Sequence, residues 1–500
     1  MPSPRMDPAS HPSPPVPALT VEYLRHWRLV PRRDAAGLRV LADGPPDLQA
    51  LDDLRWLHGG EEPAVEIVGE DEMEAALLRA EEEQAETAAT LIASLGGPAD
   101  AAPAESGEGD LLAQAQEVPV VRLVNLLLME ALEARASDLH LEAGRGRVQV
   151  RYRVDGVLVD APSPPAALVP AVVGRLKVMA ELDVAERRRP QDGRVRLRLE
   201  ERSVDVRVST LPTLHGESVV LRLLESEGRR LGLEDLGMAP DTRARFEELL
   251  ACPHGVLLTT GPTGSGKTTT LYAALEQIRT GREKIVTVED PVEYALGGVA
   301  QVPVNRKAGV TFASALRSIL RQDPDVILVG EMRDTETAEI CVQAALTGHL
   351  VLSTLHTNDA AGAIVRLTDL EVEPYLVAST VEGVLAQRLV RVVCRHCAEE
   401  HPLPPPVARE MEAAGCPAER FRRGRGCPEC RGTGYRGRTG VYELLVVDEE
   451  VRTEVLRGRG VGTLRQIALA NGMRPLRSDG WRQVAAGVTT PEEVLRVSHA

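Results

Sequence analysis

The sequence predicts an α/β protein: a mostly parallel sheet in the C-terminal half, a smaller α+β domain before it, and a small α/β module at the N-terminus. Three observations carry this. From about Met238 onward, short apolar β-branched runs alternate with helix-forming stretches, the pattern of a parallel sheet with crossover helices. Between Asp138 and Leu224, five runs alternate polar and apolar residues, as an antiparallel sheet with one wet face does. Finally, Gly255-Val-Leu-Leu-Thr-Thr260 reads as a buried strand, Gly261–Thr268 as a glycine-rich loop, and Thr269–Ile278 as a helix.

Taken in order, the first 18 residues are rich in Pro and Ser and read as a disordered tail without an apolar signal core. Residues 19–95 form the N-terminal module, with a strand at Leu38–Ala42 and an acidic-faced helix at Asp71–Leu95. Residues 96–110, GGPADAAPAESGEGD, have a linker's composition. The second domain, 111–226, opens with an amphipathic helix at Val118–Ala136, adds a helix at Ala167–Leu182, and otherwise consists of the alternating runs, whose wet face carries arginines. A short connection, 227–237, leads to the third domain, 238–500.

The 500 residues hold 43% hydrophobic and 26% charged positions, ordinary for a globular protein, while a net charge of −16 argues against a broad nucleic-acid surface. No stretch approaches the roughly 18 consecutive apolar residues of a membrane span, so a cytoplasmic location is expected.

The loop Gly261, Pro262, Thr263, Gly264, Ser265, Gly266, Lys267, Thr268 matches G-x-x-x-x-G-K-[ST], whose backbone N–H groups wrap nucleotide phosphates. Lys267 is expected on the β- and γ-phosphates of ATP, Thr268 on Mg²⁺, and Thr269 beside them as the helix begins. Only four of the 58 basic residues are lysines, and one of them stands where this loop needs it. Asp325-Val-Ile-Leu-Val-Gly-Glu331 reads as an apolar strand lying beside the loop strand, with Glu331 placed to polarise water. Lys284–Val288 leads into Glu289 and Asp290, which either order Mg²⁺ or water or form a solvated turn before Pro291. His349 and His356 bracket the strand Leu350–Leu355; they either sense the γ-phosphate or are hydrogen-bonded structural residues. Arg317, Arg321 and Arg333 lie near these motifs in sequence, and Arg194, Arg207 and Arg222 lie in the second domain. Residue chemistry alone leaves these arginines open between transition-state contacts and solvated sheet-face residues.

Cys394-Arg-His-Cys397 and Cys427-Pro-Glu-Cys430, 29 residues apart, have the spacing of a structural four-cysteine Zn²⁺ site. Glycines around the second pair permit the turns that ligation requires.

Together these segments resemble the secretion ATPase superfamily of type II secretion and type IV pilus assembly, most nearly its type II secretion members, over about residues 115–500. Ile285–Glu293 resembles the family's aspartate box, Ile319–Asp334 its Walker B region and Thr347–His356 its histidine box. Ala386-Gln-Arg-Leu-Val-Arg391 precedes the cysteines as in that family. Ala136–Glu142, Arg151–Gly156 and Arg189–Arg194 are similar to its signatures in the second domain.

The resemblance implies a RecA-like ATPase domain behind a PAS-like α+β domain. It implies nucleotide-facing roles for Arg207, Arg222, Arg317, Arg321, Arg333 and Arg438. It also implies a homo-hexamer bound peripherally to the inner membrane through a platform protein and a membrane-anchored docking partner, using ATP, Mg²⁺ and Zn²⁺ to power pseudopilus assembly. A pilus-extension ATPase, a nucleotide-binding scaffold without turnover and a DNA translocase are the competing expectations. The first 110 residues match no segment of the family closely.

Overall fold

A computed structural model describes residues 21–34, 37–57, 61–84, 87–95, 114–145, 147–199, 202–225 and 231–498. The expected tail, the 96–110 linker and residues 227–230 of the second connection lie outside the described residues.

The chain divides into two compact units, Met1–Glu105 with Gln116–Glu130 and Pro162–Val169, and the remainder. In the first, β1 (Leu29–Asp34) and β2 (Gly37–Ala42) pair antiparallel, and β3 (Ala64–Ile67) adds parallel to β2. Leu24, Leu29, Val40, Leu54, Met73 and Leu77 make its core. The single helix expected over 71–95 is two, Glu70–Gln84 and Ala88–Leu95. The break has a local cause: Thr87 and Thr90 cap one another, each backbone N–H donating to the other's hydroxyl at 2.9 and 3.1 Å.

Among the described residues the second unit holds two large sheets and a two-stranded one. One has the order β6-β5-β4-β9-β8-β7 and is antiparallel throughout: β4 (Ala136–Gly144), β5 (Arg147–Val154), β6 (Val157–Ala161), β7 (Gln191–Leu199), β8 (Arg202–Thr213) and β9 (Gly216–Glu225). Period two sorts its faces. Val204, Val206 and Val208 are buried while Asp205 and Arg207, between them, are not. Register sets Arg153, Asp138, Arg222, Arg207 and Arg194 in one row across five strands. The helix expected over 167–182 is a 3-10 turn, Ala166–Leu168, followed by Val169–Met179. It stops because Glu181 turns left-handed and Leu182 N–H closes on the Lys177 carbonyl.

The other sheet contains β10 (Gly255–Thr260), β11 (Ile285–Glu289), β12 (Ala300–Pro303), β13 (Val326–Val329), β14 (Leu350–Leu355) and β15 (Val381–Val393). Following the small hairpin β16 (Ala398–Pro402)–β17 (Arg420–Gly424), it ends with β18 (Tyr435–Val446). Its order is β12-β11-β13-β14-β10-β15-β18, parallel except for the β15–β18 pair. All six residues of β10 and of β14 are buried. Val256 and Leu258 pack into one core cluster and Leu257 into the other, on the opposite face. That is why these strands read as mostly apolar runs, not as alternating ones, each large apolar side chain contributing about 1.5–3 kcal/mol on burial. The strand Val326–Val329 does not lie beside the loop strand as the sequence suggested. β14 comes between them and pairs with both.

Candidate nucleotide site and metal centre

β10 ends at Thr260, and the helix Lys267–Ile278 starts one loop later with the left-handed Gly266 (φ 89°) at its N-cap. The loop between them is partly open: Pro262, Thr263 and Gly264 are exposed, as is Thr268, while Ser265 and Lys267 are buried. Lys267 Nζ donates to the loop's own carbonyls at Gly261 (2.7 Å) and Pro262 (3.1 Å). Burial, opposed by the nearby Glu331 charge and aided by Arg388, lowers its pKa to about 8. Ser265 Oγ is buried with no hydrogen-bond partner among the described residues. A buried lysine bonded to carbonyls, a buried hydroxyl and a helix N-terminus together suit an anion with several oxygens.

The ends of β13 and β14 bring Glu331 and His356 to the same end of the sheet. Ser353 Oγ donates to the Val329 carbonyl (2.7 Å), Thr354 Oγ1 to the Gly330 carbonyl (2.7 Å), and Met332 N–H to the Thr354 carbonyl (3.0 Å), fixing the turn that carries Glu331. Glu331 Oε2 lies 2.5 Å from Arg333 Nε and 3.5 Å from His356 Nε2. The Glu331 side chain is 15% exposed.

His349 is elsewhere. It precedes β14 and so sits at the sheet's opposite end, where its carbonyl accepts the Gly255 N–H at the start of β10 (3.1 Å) and its Nδ1 lies 2.8 Å from the Ala344 carbonyl. In a parallel strand of six residues the two ends are about 17–20 Å apart, so the sequence placed the two histidines together only because they flank one strand.

Glu289 and Asp290 part company. Glu289 is 3% exposed. The Tyr272 hydroxyl donates to its Oε2, while Thr287 Oγ1 (2.5 Å) and Gln301 Nε2 (3.2 Å) donate to its Oε1. Both oxygens are engaged, so Glu289 braces the turn from inside. Asp290, next along, is more open, with Arg306 at 3.6 Å. Tyr272 and Gln301 carried no signal in the sequence beyond being polar residues inside apolar elements.

Arg207 is half-buried. Burial lowers its pKa, Glu293 and Asp290 act to raise it, and Arg194 and Arg222 to lower it. The middle of the arginine row therefore faces the aspartate turn. Like charges in register repel; Asp138 relieves one end, accepting from Arg222 Nε at 2.9 Å. Arg438 reaches Asp155 at 3.6 Å, and Gly437 N–H donates to the same carboxylate at 2.8 Å. Arg317 pairs with Glu336 (2.5 Å), and Arg321 donates to the Arg317 carbonyl (2.8 Å). Among the described residues neither has a hydrogen bond or ion pair to the loop, to Glu331 or to the aspartate turn.

The four cysteines converge. Their Sγ atoms lie within 4.8 Å of one another, with 3.8 Å for Cys394–Cys427, 3.8 Å for Cys397–Cys430 and 3.6 Å for Cys427–Cys430. A tetrahedron with Zn–S bonds of about 2.3 Å has edges of about 3.8 Å, so the donor set fits Zn²⁺. Burial acts to raise the Cys430 thiol, but the N–H groups of Cys427 and Gly434, each 3.2 Å away, bring it down to about 6. Burial pushes Cys397 up to about 12. The turns demand glycine: a Cβ on Gly424 would lie 2.1 Å from the Gly434 carbonyl oxygen.

Residues 113–496 match the family model described as type II/IV secretion system protein. The chain is 54% identical over 389 residues to the type II secretion system protein HxcR of Pseudomonas aeruginosa, covering 78% of this chain and 79% of that protein. It is 47% identical to the type II secretion system ATPase E of Vibrio cholerae, covering 78% and 77%. Among solved structures, the pilus retraction motor PilT with bound ADP is similar at a TM-score of 0.52 and 26% identity, over 75% of this chain and 96% of that one.

Proposed function

The chain belongs to the type II/IV secretion system protein family, and from that premise we propose that it is an ATPase that powers a type II secretion apparatus. The observation that carries this reading is the convergence at one sheet end of the phosphate loop, whose Lys267 donates to the Gly261 and Pro262 carbonyls, with Glu331. The greater identity to type II secretion proteins than to the pilus motor favours secretion over pilus extension.

Pro262, Thr263, Gly264, Ser265 and Gly266 bind the phosphates of ATP through backbone N–H groups. Lys267 leaves the Gly261 and Pro262 carbonyls for the β- and γ-phosphates. Thr268 and the adjacent Thr269 stand where the helix begins, and the Thr268 hydroxyl and Asp290 would hold Mg²⁺. Mg²⁺, when bound, neutralises charge on the phosphate oxygens. Glu331, oriented by Arg333 and His356, polarises the attacking water. Arg207 and Arg222 bring positive charge from the six-stranded sheet towards the developing phosphate charge. Arg317 and Arg321, engaged away from this site, serve the site of a neighbouring copy in a homo-hexamer. The Cys394, Cys397, Cys427, Cys430 centre is structural and holds Zn²⁺ with no open position. Among the described residues no helix is long and apolar enough to cross a membrane, consistent with a protein held on the cytoplasmic face of the inner membrane by a platform protein and by a partner of the N-terminal unit.

The test is phosphate release with Mg-ATP. Lys267→Ala is expected to abolish nucleotide binding. Glu331→Gln is expected to retain ADP affinity within about threefold while turnover falls a hundredfold or more, as loss of an electrostatic or general-base group does. Normal release by Glu331→Gln overturns its assignment. No release by the assembled wild-type protein overturns the reading itself.

A further inference from the structure

The phosphate loop is held from behind by β15. Where the parallel pairing of β10 with β15 ends, at Thr260 opposite Ala386, the next two residues of β15 turn their polar groups to the loop. Gln387 is 1% exposed, and its Nε2 donates to the Ser265 carbonyl at 2.6 Å. A Cβ on Gly261 would lie 2.6 Å from the Gln387 carbonyl oxygen and 3.1 Å from Arg388 Nη1, so β15 presses on both ends of the loop. Arg388 is 9% exposed. Its Nη1 donates to the Gln387 carbonyl (3.0 Å) and its Nη2 to the Asn358 carbonyl (2.8 Å), two residues beyond His356. Among the described residues no carboxylate lies within ion-pairing distance of it. Burial lowers its pKa, with Glu443 and Asp359 acting to raise it.

We propose that Gln387, locked by Arg388, is a positioning residue that sets the Ser265–Gly266 peptide for nucleotide binding. This role rests on the ATPase reading above and on peptide geometry. In a trans peptide the carbonyl and the following N–H point in opposite directions. A Ser265 carbonyl held against β15 therefore turns the Gly266 N–H away from β15, where it can donate to a phosphate. A free Ser265 carbonyl could rotate into that space and repel the anion. Arg388 performs two tasks: it fixes the Gln387 backbone that crowds Gly261, and it ties this backing to the segment carrying His356.

The N–H contact is made to bound nucleotide before and during reaction, so its loss weakens uniform binding. With Gln387→Met, similar in volume but unable to donate, KM for ATP and Kd for Mg-ADP are expected to rise tenfold or more, while kcat falls less than threefold. Arg388→Met is expected to change in the same direction. If the methionine variant does not fold, the isosteric Gln387→Glu tests the same point, since a carboxylate repels the Ser265 carbonyl. A merely structural role reduces the active fraction, lowering kcat at unchanged KM, and that result overturns the proposal, as does wild-type Kd for Mg-ADP in a folded variant. Wild-type protein that neither binds Mg-ADP nor hydrolyses ATP fails the underlying reading instead.

Discussion

Lys267 shows how a single side chain records the ligand its surroundings were built for. Burial brings its pKa from the ordinary lysine value of 10.5 to about 8 in the free protein. The unfolded chain binds more protons between those values, so the free protein gains stability as pH rises from about 8 to 10.5. Phosphate oxygens reverse the preference by favouring the charged amine. Binding of Mg-ADP at pH 8 is therefore expected to take up about half a proton per site, measurable by calorimetry in buffers of different ionisation enthalpy, and Lys267→Arg should abolish the uptake. The two carboxylates at the end of β11 give a second test. Glu289 accepts from Tyr272, Thr287 and Gln301. Glu289→Leu would orphan those donors, at about 1–3 kcal/mol for a buried group left unsatisfied. We expect a lower melting temperature with little change in KM, whereas Asp290→Asn should lower kcat and leave stability nearly unchanged.

At the scale of elements, the hairpin β16–β17 has few apolar side chains in its own strands, and its cysteine cluster is a core of four sulfurs. Metal adds to the packing of Leu403, Met411 and Phe421 against Trp481: structural Zn²⁺ contributes roughly 10–16 kcal/mol in small domains. Chelation is expected to expose residues 391–440 to proteolysis while Mg-ADP affinity of the phosphate loop survives, and Gly424→Ala should mimic it because its Cβ overlaps the Gly434 backbone. Proteolysis without nucleotide, followed by mass mapping, reads both.

Local chemistry made this element, the phosphate loop and the alternating strands legible in the sequence, because spacing or period alone determines each. What was not legible depends on partners distant in sequence. The insertion of β14 between β10 and β13 is a matter of strand order, which apolar runs do not encode. Which of His349 and His356 shares the end of the sheet with the phosphate loop depends on strand direction, set by the parallel pairing of β14 with β10. The burial of Glu289 follows from Tyr272 and Gln301, 17 and 12 residues away. The antiparallel β15–β18 pair left no mark distinguishable from another buried run.

For the whole molecule, the arrangement of arginines sets the terms of assembly. Arg207 approaches the aspartate turn from the six-stranded sheet within the same chain. Arg317 and Arg321, on and just after the helix Phe312–Ile319, are exposed and engaged with Glu336 and with that helix's own backbone. An exposed Arg–Glu pair is worth about 0–1 kcal/mol, so Arg317 is cheaply released to a stronger partner such as a phosphate. If such arginines complete a neighbour's site, an isolated chain should bind nucleotide normally yet hydrolyse it slowly. Specific activity is then expected to rise steeply with protein concentration, in step with assembly followed by light scattering, while Kd for Mg-ADP stays level. Arg317→Ala should lower kcat of the assembled form tenfold or more with nucleotide affinity unchanged. Mixing it with Lys267→Ala chains should restore partial turnover, because one chain brings an intact loop and the other an intact arginine. Independence of specific activity from concentration, with no recovery on mixing, would assign these arginines to the surface of a self-sufficient chain.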